Sequence, residues 1–460
     1  MYHIDFNKTA NLHFIGIGGI SMSGFAELLL SKGFHITGSD SHDSDITEHL
    51  EKLGIQILYG QKASNIPDNT DLVVYTAAIA DDNPELVEAK RRGIPTMVRA
   101  DMIGQIMKNY SNAIAVSGTH GKTTVTSMLS HIYISADTDP TISVGAILDV
   151  LDGNIRVGNS PNWIMEACEY TNSFLSFSPT TEIILNIEED HLDFFKDIND
   201  IRNSFKEFAN LLPNDGLLVI NGDIDNYAEI CPTHGCNIVT YSISNPECNY
   251  YADNISYNNY GCGSFDLYVN GKKAERVNLN VTGIHNIGNS LAAIAVAYTQ
   301  GLDHEKVLKG LEQFRGADRR FQKKGEVAGI TIIDDYAHHP SEIKATLAAA
   351  KNYPHKNIWC VFQPHTYTRT RAFLTEFAEA LALADKVILT DIYAAREKDP
   401  GDISSVDILL ELERLGKEGY YISSFDDIEN FILKNCVNGD MLITMGAGDV
   451  VTIGEELLSF

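Results

Sequence analysis

Val116-Ser117-Gly118-Thr119-His120-Gly121-Lys122-Thr123-Thr124 decides how this chain is read. An apolar run, Ala113–Val116, leads into it, and a helix-like stretch, Val125–Ile134, leaves it. A strand, a tight Gly-containing loop carrying Gly-Lys-Thr, and a helix N-terminus make a cradle for phosphate. Backbone N–H groups of the loop and helix start, from Gly118 to Thr124, face the anion. Lys122 adds a point charge for the terminal phosphates, and the Thr123 hydroxyl is placed to hold a Mg²⁺ bridging them. The strict spacing has a glycine five residues before Gly121, where this chain has Val116. The loop is therefore a shortened Gly-x-x-Gly-Lys-Thr-Thr. The competing reading is an incidental turn-to-helix junction with Lys122 as a solvated charge.

On the C-terminal side, Asn162–Glu169 reads as a strand ending in acids, and Ile183–Ile187 as a second strand running into Glu188-Glu189-Asp190-His191. In a parallel sheet the strand C-terminal ends face the phosphates, so Glu169 and His191 converge on Thr123. Carboxylate, hydroxyl and imidazole together suit Mg²⁺ or Mn²⁺. Helix capping is the simpler role for His191. Leu217–Asn221 continues the sheet, and residues 223–282 read as a small antiparallel extension without chemistry. Gly283–Ser290 starts an Ala-rich helix. There His285, Asn286 and Asn289 either cap the helix, which spacing alone favours, or meet a purine edge.

The first third opens as a βαβ unit. Leu12–Ile15 runs into Gly16-Ile17-Gly18-Gly19-Ile20-Ser21-Met22-Ser23-Gly24, then a helix, and Phe34–Thr37 ends at Gly38-Ser39-Asp40. Glycines at the first turn let the backbone approach a diphosphate. The dinucleotide fingerprint lacks its third glycine, which is Ser21. A nucleotide-sugar, a nicotinamide or flavin cofactor, and simple packing glycines all remain open. In the last third, the strands Ile330–Asp334, Ile358–Phe362, Lys386–Thr390 and Met441–Met445 each finish in a polar or Gly-rich loop. That marks the active edge of a doubly wound domain. Arg369, Arg371 and Arg396 suit anion recognition there.

The 460 residues allow about three domains at ~150 each. With 62 acidic and 35 basic residues the net charge is −27, which argues against a general nucleic-acid binder. It leaves room for small anions held by local cations. Seven cysteines, an odd count without Cys-x-x-Cys, predict neither a disulfide framework nor a zinc site and fit a reducing, cytoplasmic setting. Met1–Asn11 lacks the apolar core of a signal peptide, and no stretch approaches the ~18 apolar residues of a membrane span. No membrane partner is expected.

In this order, Gly16–Gly24, Gly118–Thr124, Glu166–Glu169, Asn186–His191, Gly283–Asn289, Asp334–Glu342, Phe362–Arg371, Asp391–Glu397 and Gly446–Asp449 resemble the Mur ligase family over nearly the whole chain. Gly-Thr-His-Gly-Lys-Thr-Thr is shared by several Mur ligases. Asp334-Asp335-Tyr336-Ala337-His338-His339-Pro340, and Phe362-Gln363-Pro364-His365 with Thr368-Arg369-Thr370, point to the alanine-adding branch.

The resemblance implies an α/β protein of three domains. These are a Rossmann-like UDP-sugar domain over 1–107, a central P-loop ATPase domain with a parallel sheet over 108–315, and a Rossmann-like amino-acid-binding domain over 316–460. It implies ATP and Mg²⁺ or Mn²⁺ as cofactors, UDP-N-acetylmuramate and L-alanine as substrates, and a monomer or homodimer. The muramate carboxylate is activated as an acyl phosphate, the alanine amino group attacks it, and ADP and phosphate leave. This serves peptidoglycan precursor synthesis. Domain closure would exclude water, hinged near 108–112 and 315–320.

Carried over by motif, Lys122, His191 and His338 are catalytic. Lys122 contacts the β/γ-phosphates, Thr123 and Glu169 hold one metal, and His191 holds a second. His285, Asn286 and Asn289 face adenine, and Arg320 and Asp335 reach the nucleotide. Tyr336 and His338, with Arg369 and Arg371, place alanine or the acyl phosphate. Gly18, Gly19, Asp40 and Thr76 lie at the UDP site. Three positions depart from the family pattern. Gln61 follows Gly60 where histidine is common, Thr76-Ala77-Ala78-Ile79 replaces Ser-Ser-Ala-Ile, and Cys168 precedes Glu169 where aspartate is common. The runner-up within the family is the recycling ligase that joins a preformed tripeptide. Outside it stand a nucleotide-dependent switch without ligase chemistry and a dinucleotide oxidoreductase.

Overall fold

The computed structural model describes residues 2–151 and 153–459; the expected outer domain limits, Met1 and Phe460, lie outside the described residues. Three sheets follow one another along the chain. The first holds β1 (Asn11–Ile15), β2 (His35–Asp40), β3 (Gln56–Tyr59), β4 (Leu72–Tyr75) and β5 (Thr96–Val98), all parallel, in the order β3-β2-β1-β4-β5. Strand order reverses between β1 and β4, and a crevice opens at such a point beyond the carboxyl ends. The Gly16–Gly19 turn, Asp40 and Thr76 all sit at that edge.

The second sheet holds β6 (Asn112–Ser117), β7 (Thr141–Leu148), β8 (Gly153–Arg156), β9 (Asn162–Glu166), β10 (Thr181–Ile184), β11 (Leu217–Asn221), β12 (Asn237–Ser242), β13 (Tyr250–Tyr257), β14 (Cys262–Val269) and β15 (Lys272–Thr282). Their order is β15-β14-β13-β12-β11-β10-β6-β9-β7-β8. β6 lies between β9 and β10, parallel to both, so three carboxyl ends converge. β9 and β10 stop earlier than their apolar runs suggest. Past Ile184 the backbone bonds switch to the phosphate loop: Leu185 N–H donates to Ser117 O, and Thr119 N–H to Asn186 O.

The expected antiparallel extension over 223–282 needs correction. β12 pairs parallel with β11, and β13 pairs parallel with β12; only β13, β14 and β15 are antiparallel, within the same sheet. The segment between β11 and β12 crosses back over the sheet, so β12 enters from the same end as β11.

The third sheet holds β16 (Gln322–Val327), β17 (Ile330–Asp335), β18 (Ile358–Phe362), β19 (Lys386–Leu389), β20 (Gly419–Tyr421) and β21 (Met441–Met445), in the order β16-β17-β21-β18-β19-β20. All its neighbours are parallel except β16 and β17. The Pro340–Ala350 helix begins with proline at its first position, where the missing N–H costs nothing.

Packing ties these units together in two ways. The first and second sheets share a continuous apolar core, in which Phe25 meets Trp163 edge-on at 6.2 Å and Tyr110 lies 5.2 Å from the same ring. The second and third are also joined by polar pairs, such as Arg369 with Asp190 at 2.8 Å and His120 with Glu342 at 3.1 Å. Among the described residues no helix is long and apolar enough to cross a membrane.

Candidate active site

Val116 is a fully buried strand residue, paired with Ile183 and Glu166. A glycine there would do nothing for the loop, because the turn begins only at Gly118. Gly118 has φ +143°, and a Cβ on it would lie 2.9 Å from the Leu185 Cβ. Gly121, at φ +86°, is the N-cap of the Lys122–Ser135 helix. Both positions need glycine's conformational freedom. Asn186 clasps the loop: its Oδ1 accepts from His120 N–H at 2.7 Å, and its Nδ2 donates to His120 O at 3.0 Å.

The Lys122 ammonium donates to Gly118 O, to Thr119 O at 3.0 Å and to Glu169 Oε2 at 3.0 Å. Burial alone would lower its pKa, but the Glu169 carboxylate overcomes this and raises it, so Lys122 stays charged. Glu169 is 2% exposed, and its other oxygen, Oε1, is buried without a hydrogen-bond partner. His191 Nε2 lies 3.9 Å from that oxygen. Burial pulls the His191 pKa below its ordinary value, leaving the imidazole neutral and its lone pair free for a metal. A buried carboxylate oxygen without a donor is costly. Beside a neutral imidazole, it fits a divalent cation.

A cavity of about 210 Å³ opens beside this loop, between the second and third sheets, lined by Gly121, His285, Asn289, Arg320, Asp335 and Thr346 among others. Burial pulls His285 down to about 4, so it is neutral, and pushes Asp335 up to about 6. The helix holding His285 is capped by Gly283 without any side-chain cap. Asn286 instead donates to Thr282 O at 2.8 Å and accepts from Asn289 at 3.0 Å. The capping role that spacing favoured is thus not the one these side chains take.

Glu342, at the third position of the Pro340–Ala350 helix, closes the cavity's polar wall. It accepts from His120 Nδ1 at 3.1 Å and from the His338 N–H at 3.0 Å. The His120 Nε2 meets Ser341 Oγ at 2.9 Å, and His339 Nε2 meets Glu189 O at 3.0 Å. Burial opposes charge on both His120 and Glu342. Their mutual attraction, helped by Glu188 for the imidazole and by Arg320 for the carboxylate, overcomes it. His120 is held up at about 9 and Glu342 well below the usual carboxylate range.

A second cavity, about 170 Å³, adjoins His191 and is lined by Tyr336, His338, His365, Arg369 and Arg396. Arg369 pairs with Asp190 at 2.8 Å across the two sheets. Burial drives His338 down to about 3 and His365 to about 4, so both imidazoles are neutral.

Three family models match in sequence order: "Mur ligase family, catalytic domain" over residues 11–111, "Mur ligase middle domain" over 116–297, and "Mur ligase, glutamate ligase domain" over 319–448. A UDP-N-acetylmuramate--L-alanine ligase of Lachnoclostridium phytofermentans is 58% identical over the whole of both chains, and one of Lachnospira eligens 56%. The chain belongs to the Mur ligase family. A solved UDP-N-acetylmuramate-alanine ligase of Thermotoga maritima superposes with a TM-score of 0.79 at 32% identity, covering 98% of each chain. A murein peptide ligase of Psychrobacter arcticus superposes at 0.68, and its 24% identity speaks for the fold alone.

On this Mur ligase scaffold, most residues singled out from sequence gather along one cleft. Lys122, Glu169 and His191 meet at the loop, and Thr123 and Thr124 begin its helix. Asp335 lines the first cavity, but its oxygens already accept from Phe321 N–H, Ala337 N–H and the Thr346 hydroxyl. Arg371 stands apart: half-exposed, it pairs with Asp402 and lines neither cavity. It lies on the outer face of the Tyr367–Ala372 helix, two residues from the inward Arg369. Gly18, Gly19, Asp40 and Thr76 lie in the separate crevice of the first sheet, where Asp40 Oδ2 accepts from Gly18 N–H at 2.8 Å.

Glu342, Asp190, Ser341 and Asn186 lie inside the sequence motifs, but no role for them is assigned from sequence. Glu342 carried a visible signal, a carboxylate three residues after a helix-starting His339-Pro340. Asp190 carried none beyond its place before His191, because its partner Arg369 is 179 residues away.

Proposed function

We propose that the chain is an ATP-dependent carboxylate–amine ligase joining L-alanine to the muramate carboxylate of UDP-N-acetylmuramate. The observation that carries this is the cleft itself. A charged lysine on a phosphate loop, an unpaired buried carboxylate oxygen and a neutral histidine face an Arg369–His338–Tyr336 wall from another sheet. The relatives named for this reaction, at 56–58% identity, favour alanine over a tripeptide.

The substrate carboxylate attacks the γ-phosphorus of ATP, ADP departs, and the alanine nitrogen then displaces phosphate from the acyl carbon with loss of a proton. Lys122 and the loop N–H groups offset charge on the phosphates. His285, Asn286 and Asn289 border adenine, and Arg320 and Asp335 approach from the third sheet. Thr123, Glu169 and His191 would hold Mg²⁺ or Mn²⁺, which neutralises phosphate charge when bound. His338 Nδ1 faces Tyr336 O at 3.1 Å, which leaves Nε2 as the acceptor. A group with so low a pKa orients the incoming amine rather than storing its proton.

In this reading residues 1–107 take the UDP-sugar, 108–315 ATP and 316–460 the amino acid. The segments 108–112 and 315–320 serve as hinges. The seven cysteines, all unpaired, fit work in the reducing cytoplasm as a monomer or homodimer.

Phosphate release from ATP with UDP-N-acetylmuramate should require L-alanine. Glycine, L-serine and L-alanyl-γ-D-glutamyl tripeptides should support it less well. Release independent of any amino acid would leave a nucleotide switch, and release dependent on the tripeptide would make this a recycling ligase. Chelating divalent cations should slow the reaction at least about 100-fold, with Mg²⁺ restoring it; an unchanged rate removes the metal from the mechanism.

A further inference from the structure

Arg99 opens the Arg99–Met107 helix directly after β5, and its guanidinium is half-buried. Among the described residues no hydrogen bond or ion pair reaches it, and burial pulls its pKa down. It lines a cavity of about 240 Å³ between the first and second sheets. One wall is Ile20 and Ser21, at the start of the Ile20–Ser31 helix; the other is Ser143, Glu166 and Cys168, beside Glu169 and Lys122. The acid in this cavity, Glu166, makes no ion pair with Arg99; its Oε1 accepts from the N–H of Gly145, on the same lining, at 2.6 Å. A half-buried cation with five donors and no acceptor is costly unless something anionic meets it.

We propose that Arg99 is a substrate-binding residue that grips an anionic group of the nucleotide-sugar substrate, in the passage between the Gly18–Gly19 turn and the phosphate loop. This rests on the ligase reading above. The planar fork matches a carboxylate or a phosphate with two parallel bonds. The cavity spans the gap that such a substrate must bridge: its diphosphate belongs near the glycine turn and its carboxylate near Lys122. Arg99 therefore sets where the sugar lies before the domains act on its carboxylate.

The test uses the full-length enzyme with Arg99→Gln and Arg99→Lys. Arg99→Gln should raise KM for UDP-N-acetylmuramate roughly 30-fold, with KM for ATP within about threefold of wild type. Its Tm should be equal or higher, because no partner in the protein loses an ion pair. Arg99→Lys should recover part of the loss. Calorimetric titration with UDP-N-acetylmuramate and with UDP-N-acetylglucosamine, which lacks the carboxylate, separates the two anions. Loss confined to the first assigns Arg99 to the carboxylate, and equal loss in both assigns it to the diphosphate. Unchanged affinity for both, or a fall in Tm with KM for ATP rising in step, overturns the proposal. Wild-type enzyme without alanine-dependent turnover would overturn the ligase reading instead, while the titration still reports on Arg99.

Discussion

Replacing Lys122 with alanine is expected to lower kcat by at least about 10³-fold, since one buried cation aimed at transferring phosphate supplies that much stabilisation. The substitution also has a structural cost. Lys122 is the only hydrogen-bond donor to the Glu169 carboxylate among the described residues, so its loss leaves a carboxylate of 2% exposure with neither oxygen paired. Breaking a buried pair from one side costs about 3–5 kcal/mol. Melting curves on Lys122→Ala should therefore show destabilisation alongside lost turnover. The double variant Lys122→Met/Glu169→Gln, which leaves no buried charge, should regain stability without regaining activity. Turnover within tenfold of wild type in a folded Lys122→Ala protein would take this residue out of phosphate handling.

Glu342→Gln is expected to lower kcat/KM for ATP by roughly 10²-fold, as truncating one side of a desolvated charge pair does. The carboxylate holds His120 on the phosphate loop from the opposite sheet, so its loss loosens the wall of the cavity proposed for ATP and the contact between the two units. The pair also carries a pH signature. His120 is held above its ordinary 6.5, at about 9, so its stabilisation is complete below pH 6.5 and disappears as pH rises through 9. Glu342 is held low, so its part is present above the ordinary carboxylate range and disappears only on acidification. The shift of His120 corresponds to about 3 kcal/mol. Wild-type Tm should fall by about 5 °C between pH 6.5 and 9.5, and this slope should flatten in Glu342→Gln. His120→Asn combined with Glu342→Gln should cost much less than the two single effects added. Additive losses, or equal pH slopes in both proteins, would show that the two side chains act separately.

What could be read from the sequence was whatever depends on neighbours in the chain. The phosphate loop is local: Gly118, Gly121, Lys122 and Thr123 take their places from backbone geometry at that turn. The alternation of apolar runs with helical stretches is local too, and it carried the three α/β sheets. Even the shortened loop was legible, although its cause was not. Val116 is a core strand residue, which only its pairing with Ile183 and Glu166 reveals.

Direction of pairing was not legible. Residues 223–282 show the alternation of half-buried strands, but alternation is the same for parallel and antiparallel neighbours. β12 runs parallel to β11 because the chain crosses back over the sheet between them, and β13 pairs parallel only with the last two residues of β12. Charge partners were not legible either. Asp190 meets Arg369, and His120 meets Glu342 across 222 residues of chain, so no spacing rule links them. Arg369 and Arg371 looked equivalent in sequence, and the helix turned one into the cleft and the other outward. Phosphate loop, α/β alternation and family were legible in the chain alone, because these rest on short-range backbone and apolar patterning. Tertiary structure alone decided which carboxylate each buried cation meets and which cation meets none, because burial and distance between remote segments arise only once the sheets are packed.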